Sequence, residues 1–284
     1  MATPATYSFE RYLAAKRAID DRSLNLHVWQ ALLAALPAVR PLQVLEIGAG
    51  IGTMLDRLQA WSFPANFDYT GVDADAGVVE RARARHKLPH PGINFEAIDL
   101  DGLIARERGG RKWHVLIAHA FMDLVDAERV LPGMLQLLHP GGLLYLTLNF
   151  DGVTTLLPEL DAELDARLER LYHQTMDVRV VRGQRAGHSR TGRQLLMLLP
   201  AAGVTLLASG SSDWVVHATP ASYPDDAEYF LHYIIHTMQG ALAGNPQVSS
   251  AELEAWAAQR HDQAANQALA YVAHQLDFLA QAPQ

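Results

Sequence analysis

A glycine-rich turn follows an apolar segment early in the chain, with Gly48, Gly50 and Gly52 at every second position. Glycine has no Cβ atom, so the backbone of such a turn can approach a ligand closely, and a helix that follows offers free N–H groups. Dinucleotide-binding turns have the spacing Gly-x-Gly-x-x-Gly, but Thr53 stands where their third glycine would be. Glu46 lies just inside the end of the apolar segment, and its charge would repel a pyrophosphate. The turn therefore predicts a site for a cationic amino-acid ligand.

The elements that must position this turn alternate between strands and helices. We predict strands at residues 43–47, 67–73, 94–99, 113–118 and 143–148. We predict helices at residues 9–36, 76–86 and 127–138, and one directly after Gly52. This alternation is typical of an α/β fold in which helices cover both faces of a mostly parallel central sheet.

The order of these segments resembles the Rossmann-like, class I S-adenosylmethionine-dependent methyltransferases. Val44 to Gly52 has the pattern of their first motif. Gly71-Val72-Asp73, Ala97-Ile98-Asp99-Leu100 and Pro140-Gly141-Gly142-Leu143 resemble their second motif, their third motif and the turn before their fifth strand. The resemblance extends from about residue 42 to residue 150. It implies a Rossmann-like methyltransferase fold with S-adenosylmethionine as the cofactor and S-adenosylhomocysteine as its product.

The resemblance also implies a role for each motif. The glycines would line the methionine moiety, Asp73 would accept hydrogen bonds from the ribose hydroxyls, and Asp99 would bind the adenine amino group. A leading helix in this family often covers the cofactor, which makes Tyr12 and Arg22 candidates, although an amphipathic helix with exposed charges explains them equally well. The cofactor-binding residues implied in this way are Glu46, Gly48, Ala49, Gly50, Gly52, Asp73, Ala74, Asp99, Leu100, His119, Tyr12 and Arg22.

The chain is expected to have three parts. Residues 1–40 form a helical N-terminal lid, and residues 41–220 form the methyltransferase core with an insertion at about 151–190. Residues 221–284 form a C-terminal helical segment. Residues 269–279 fit a last strand of the sheet and a helix equally well, because their periodicity favours neither.

Candidate residues for the methyl acceptor follow the strands at the edge where open α/β sheets bind ligands. His119 and Asp123 are candidate general bases, but packing or helix capping would explain them as well. Asn149 follows the fifth strand and could orient the acceptor. Arg190 and Arg193 could bind a carboxylate or phosphate of the acceptor, although a solvated loop before a helix is an equally simple explanation.

Several functions are disfavoured by composition and motifs. The chain has no cysteine and a net charge of −8, which argues against thiolate chemistry and against nucleic acid or membrane partners. The segment around His119 lacks the Asn/Asp-Pro-Pro-Tyr form of amino-methylating nucleic-acid enzymes. No metal site is predicted, because Tyr233 follows His232 where a zinc motif of the His-Glu-x-x-His type has glutamate. With neither a signal peptide nor a membrane span in the sequence, we expect a cytoplasmic protein.

The predicted function is transfer of a methyl group to oxygen, nitrogen or carbon of a small molecule, by a monomer or homodimer. Two alternatives stay open. One is a non-catalytic protein that binds S-adenosylmethionine, because cofactor binding and acceptor chemistry use different residues. The other is a nicotinamide-dependent oxidoreductase, for which the expected glycine spacing is missing.

Overall fold

The computed structural model describes residue 4 and residues 6–181 and 183–284. The chain divides into two compact units, each assembled from three segments. The sheet unit comprises Leu24–Asp151, Arg190–Ser212 and Gln275–Gln284. The helical unit comprises Met1–Ser23, Gly152–Ser189 and Asp213–His274.

The helices and strands of the described residues are as follows. The helices are α1 Phe9–Ser23, α2 Leu26–Ala35, α3 Thr53–Ala60, α4 Ala76–Arg85, α5 Leu100–Glu107, α6 Ala127–Gln136, α7 Ala162–Asp177, α8 Thr191–Ala201, α9 Ala227–Leu242 and α10 Ser250–Ala265. The strands are β1 Leu42–Ile47, β2 Phe67–Asp73, β3 Ile93–Ala97, β4 Trp113–His119, β5 Leu138–Leu157, β6 Val180–Val181, β7 Gln184–Arg185, β8 Thr205–Ser211, β9 Trp214–Val216 and β10 Ala270–Gln281. A single 3₁₀ turn spans Met122–Leu124.

The main sheet has the strand order β3-β2-β1-β4-β5-β10-β8, and β9 pairs with β10. The ladders β1–β2, β1–β4, β2–β3 and β4–β5 are parallel, whereas β10 is antiparallel to β8 and β9. The predicted α/β fold with a mostly parallel sheet is therefore confirmed. In such a sheet the carboxyl ends of the parallel strands lie at one edge, so the residues that follow them are brought together.

Two local predictions differ from the structure, which also decides between the two alternatives left open for residues 269–279. The predicted helix at 9–36 is two helices, because the Asn25 side chain accepts a hydrogen bond from the Val28 N–H and begins α2 as its N-cap. The segment 269–279 is the strand β10. The Pro-Gly-Gly segment lies inside β5 as an irregularity in its register with β4, with a φ of 69° at Gly141, and does not precede the strand.

The core of the sheet unit lies on both faces of the sheet. Successive strand residues point to opposite faces, so Leu45 and Ile47 join one apolar cluster while Leu42 and Val44 join the other. Glu46 is two positions after Val44 and therefore points to the same face of the sheet. The alternation along β1 therefore places this carboxylate within an apolar layer, where the residue is 2% exposed.

Helix α9 is the centre of the helical unit, where it contacts α1, α7 and α10. Its sequence is mostly apolar or aromatic, and buried residues recur along its whole length. A buried ion pair joins two of the other segments, with Arg260 Nη2 2.7 Å from Asp165 Oδ1. The Asp165 carboxylate also accepts a hydrogen bond from Trp256, and both bonds help to lower its pKa against the effect of burial.

Asp277 holds three parts of the sheet unit together. Its carboxylate on β10 is fully buried and accepts hydrogen bonds from the backbone N–H of Asn25, at 2.9 Å, and of Leu148, at 2.7 Å. Leu148 has a φ of 53°, so this bond supports β5 where the strand leaves regular geometry.

We expect Asp277→Ala to lower the free energy of unfolding by about 3 kcal/mol, because the part-buried Asn25 N–H and the buried Leu148 N–H would both lose their acceptor. Urea denaturation at pH 7 would measure it. Asp101→Ala is the control, since the Asp101–Arg129 pair is exposed and its loss should cost less than about 1 kcal/mol. Equal effects of the two substitutions would contradict the role given to Asp277.

Candidate functional site

The glycine turn joins β1 to α3 and requires its glycines. Gly48, Gly50 and Gly52 have φ values of 70°, 54° and 79°. A Cβ atom on Gly48 would lie 2.5 Å from a ring carbon of Phe121, and one on Gly52 would lie 2.6 Å from Nε2 of His86. The backbone conformation therefore disfavours a side chain at all three positions, and the neighbouring side chains leave no space for one at Gly48 and Gly52. The result is a bare backbone turn at the amino end of a helix.

Asp73 ends β2 beside this turn. Its Oδ2 accepts a hydrogen bond from the Gly50 N–H at 3.0 Å, and its Oδ1 accepts one from the Asp75 N–H at 3.0 Å. The carboxylate thus fixes the turn to the adjacent strand. Each carboxylate oxygen has a second lone pair, so Asp73 keeps acceptor capacity for a ligand. Ala74, the next residue, is exposed.

Asp99 lies at the same edge, two residues beyond Ala97, which is the partner of Asp73 in the β2–β3 ladder. Its carboxylate accepts a hydrogen bond from the Gly102 N–H at 2.8 Å and caps α5, and Leu100 begins that helix. The structure thus brings the glycine turn, Asp73 and Asp99 together at the carboxyl edge of three neighbouring strands.

Glu46 lies deeper in the sheet unit than these residues. Its Oε2 accepts a hydrogen bond from the Tyr69 hydroxyl, and both side chains are almost fully buried. Burial raises the pKa of Glu46 to about 8, although the Tyr69 hydrogen bond and the charge of Arg57 act in the opposite direction. Gly71, opposite Glu46 in the ladder, leaves the space, because a Cβ there would lie 2.8 Å from the Tyr69 oxygen.

His119 ends β4 and both ring nitrogens have partners. Nε2 lies 3.2 Å from Nη1 of Arg57, and Nδ1 lies 2.8 Å from Oγ1 of Thr147. A guanidinium group can only donate, so Nε2 accepts and the proton of the neutral ring is assigned to Nδ1, which donates to Thr147. Sequence reasoning missed Arg57 and Thr147. Arg57 could have been noticed because it interrupts the buried face of α3 formed by Met54, Leu55 and Leu58.

The other acceptor candidates follow β5 or begin α8. Asn149 is fully buried; its Nδ2 donates to the Leu276 carbonyl at 2.7 Å, and its Oδ1 has no hydrogen-bond partner in the described part of the chain. The guanidinium of Arg193 donates to Asp151, with Nε 2.9 Å from Oδ1. Arg190 is exposed at the start of α8.

Asp123 is half-buried in the 3₁₀ turn. The cap of α6 is Asp126, which accepts a hydrogen bond from the Arg129 N–H. Asp126 therefore supplies the cap of α6, and helix capping does not explain Asp123.

The two candidates of the predicted lid belong to the helical unit. Tyr12 stacks on Tyr233 with ring centroids 4.2 Å apart. Arg22 Nη1 donates to Asp225 Oδ2 at 2.8 Å, in a half-exposed ion pair. Their cofactor role stays a prediction.

The histidines considered for zinc also lie in the helical unit. His232 Nδ1 is 2.8 Å from His261 Nδ1, and His236 stacks on Tyr7. In the residues that the structure describes, no group of three or more histidine or acidic side chains is arranged to hold a metal ion. Over the same residues, no helix combines the length and apolar character that crossing a membrane requires.

The sequence of the core matches a known family. Residues 45–144 match the family described as a methyltransferase domain, and this range includes the glycine turn, Asp73, Asp99 and His119. No curated protein has a sequence that matches this chain.

Solved structures share the fold at low identity. A chain in the complex between the Haloferax volcanii Trm112 methyltransferase activator and a methyltransferase has a TM-score of 0.50 and 16% identity, over 99% of this chain and 100% of that one. A Thiobacillus denitrificans S-adenosylmethionine-dependent methyltransferase in complex with S-adenosylhomocysteine has a TM-score of 0.49 and 16% identity. The match covers 99% of this chain and 100% of that one. Haemonchus contortus phosphoethanolamine N-methyltransferase 2 has a TM-score of 0.48 and 14% identity. That match covers 99% of this chain but only 61% of the other.

The fold and the edge site define a Rossmann-like domain with a glycine turn that is not of the dinucleotide type. The match of residues 45–144 to a methyltransferase domain agrees with the family resemblance seen in the sequence.

Proposed function

We propose that the chain transfers a methyl group from S-adenosylmethionine to oxygen, nitrogen or carbon of a small-molecule acceptor. The observation that carries the proposal is the convergence of the glycine turn, Asp73 and Asp99 at one edge of the sheet. The turn fits the cofactor because its three glycines have no side chains and it leads into the amino end of α3, where backbone N–H groups have no partner within the helix.

The chain's own residues would divide the binding of this cofactor. The turn would hold the methionine moiety, Asp73 the ribose hydroxyls and Asp99 the adenine amino group. The cofactor supplies a methyl group on a sulfonium, which is already activated for transfer. The remaining task of the protein is to hold the acceptor in line with that methyl group and, for some acceptors, to remove a proton.

For the acceptor, we assign His119 a positioning role. Its Nε2 lone pair already accepts a hydrogen bond from Arg57, so His119 would have to lose that bond before it could take a proton. The buried chain Arg57–His119–Thr147 instead ties α3, β4 and β5 together at the binding edge. The Oδ1 atom of Asn149 is a candidate acceptor for an N–H or O–H group of the substrate. Arg190 is the candidate for an anionic group.

Calorimetry on the full chain with S-adenosylhomocysteine and with NAD tests the cofactor. We expect binding of S-adenosylhomocysteine and none of NAD, because the turn lacks the dinucleotide spacing. Binding of NAD alone would refute the proposal.

Incubation with methyl-labelled S-adenosylmethionine and fractionated small metabolites tests catalysis. A labelled product is expected in at least one fraction, and much less of it with the Asp73→Ala chain at the same cofactor concentration. Tight binding of the cofactor without transfer to any fraction would favour the non-catalytic alternative.

A further inference from the structure

The carboxyl end of α4 contacts two backbone carbonyl groups of the glycine turn. His86 Nε2 lies 3.1 Å from the Gly52 carbonyl oxygen, and Arg85 Nη1 lies 3.3 Å from the Ile51 carbonyl oxygen. Two consecutive residues thus bind two consecutive carbonyls of the turn. Arg85 Nη2 also pairs with Asp56 Oδ2 on α3, the helix that the turn begins.

The position of His86 is set by packing. Its side chain is 8% exposed and stacks on Phe95 of β3, with ring centroids 5.4 Å apart and planes inclined by 24°. A carbonyl oxygen can only accept, so Nε2 must carry a proton, which it does both in one neutral tautomer and in the imidazolium form. A Cβ on Gly52 would lie 2.6 Å from this nitrogen. The absence of a side chain at position 52 is what admits the contact.

This contact acts on the most glycine-rich turn of the sheet unit. Three glycines in five residues lose more backbone freedom on ordering than other residues do, and a ligand that must order them binds more weakly. The C=O and N–H groups of a trans peptide point in opposite directions. Fixing the Gly52 carbonyl towards His86 therefore directs the Thr53 N–H away from it. Thr53 is the first residue of α3, where N–H groups have no partner within the helix.

We propose that Arg85 and His86 form a clamp that holds the Ile51 and Gly52 carbonyls and thereby preorganises the turn for the cofactor. Helix α4 starts from Asp75, two residues after Asp73, and ends at the clamp. One helix thus connects the residue assigned to the ribose with the turn assigned to the methionine moiety. This inference rests on the proposed function, because it assigns the purpose of the clamp to cofactor binding.

The test compares His86→Met with His86→Gln in the full chain. Methionine and glutamine have similar length, but only glutamine has a terminal amide that can donate to the Gly52 carbonyl. We expect His86→Met to raise the dissociation constant of S-adenosylhomocysteine about tenfold, equivalent to 1.4 kcal/mol, and His86→Gln to recover most of the loss. Arg85→Met should also weaken binding.

Arg83→Met is the matched control. Arg83 lies on the same helix and donates to a backbone carbonyl with Nε and Nη2 at 3.0 and 2.6 Å, but that carbonyl belongs to Phe95 on β3. We expect this substitution to leave the dissociation constant within twofold of the wild-type value, even if it lowers the melting temperature as much as His86→Met does. Equal weakening in Arg83→Met and His86→Met, or unchanged binding in a folded His86→Met chain, would overturn the clamp.

Hydrogen exchange without ligand separates the clamp from the proposed function. Amides of residues 51–53 should exchange faster in His86→Met than in the wild type or in Arg83→Met. If the wild-type chain does not bind S-adenosylhomocysteine, the proposed function fails, whereas the exchange result still decides whether His86 orders the turn. Unchanged exchange at these residues in His86→Met would count against the clamp.

Discussion

Replacing Asp73 with alanine is expected to raise the dissociation constant of S-adenosylhomocysteine about 100-fold, since a hydrogen bond to a charged group contributes roughly 1.5–3 kcal/mol. Two effects of the substitution add. The Gly50 and Asp75 N–H groups would lose the acceptor that now fixes the turn to β2, at 3.0 Å each. The ribose hydroxyls of the proposed ligand would lose their acceptor as well. Calorimetry on the purified full chain would measure the change.

Asp75→Ala is the control for Asp73→Ala. The Asp75 carboxylate caps α4 by accepting hydrogen bonds from the Gly77 and Val78 N–H groups, and it has no part in fixing the turn. Loss of such a cap should lower stability by about 1 kcal/mol. Affinity for S-adenosylhomocysteine should change little. A wild-type affinity in Asp73→Ala would show that the ribose does not bind at this residue.

Replacing Glu46 with glutamine is expected to change how stability depends on pH. The pKa of Glu46 is about 8 in the folded chain, against 4.5 for an ordinary glutamate. Between these values the native state keeps a proton that the unfolded chain releases. The stability that Glu46 contributes is therefore complete below about pH 4.5 and is lost as the pH rises towards 8. Glutamine stays neutral and can still accept the Tyr69 hydrogen bond.

Urea unfolding of both chains from pH 5 to pH 8 tests this expectation. One pKa unit corresponds to about 1.4 kcal/mol. Relative to the wild type, the free energy of unfolding of Glu46→Gln should therefore be higher by on the order of 4 kcal/mol at pH 8 and by less than about 1 kcal/mol at pH 5. His261, whose pKa burial lowers to about 4, contributes the opposite slope but does so in both chains. Stability curves that run parallel across this range would show that Glu46 is ionised throughout.

The edge that carries the glycine turn was predictable because its parts are local in sequence. Each residue assigned to the cofactor in the core lies within a few positions of the carboxyl end of a strand, and parallel strands bring these ends together. Glycine spacing, an acidic residue at the end of β2 and another just after β3 were therefore sufficient to place Asp73 and Asp99 beside the turn. The individual contact of Asp73 with the Gly50 N–H was not visible in the sequence, because it depends on the rotamer and on the curvature of the turn.

Residues distant in sequence decided the rest. At Asn25, where the predicted long helix is divided, Asp277 from 252 positions away accepts a hydrogen bond from the backbone N–H. Residues 270–281 are a strand because β8 and β9 supply the hydrogen bonds that an isolated segment lacks. Periodicity measures which side chains share a face, and it contains no information about such partners.

The amino-acid sequence by itself determined the class of fold, the glycine turn and the order of the acidic residues beside it, since these depend on local conformation and on strand ends. Only the tertiary structure decided what each polar side chain touches. It set the protonated nitrogen of His119 through Arg57 and Thr147, and it moved the pKa of Glu46. Hydrogen bonding and desolvation act over a few ångströms, and the groups within that distance come from elements far apart in the chain.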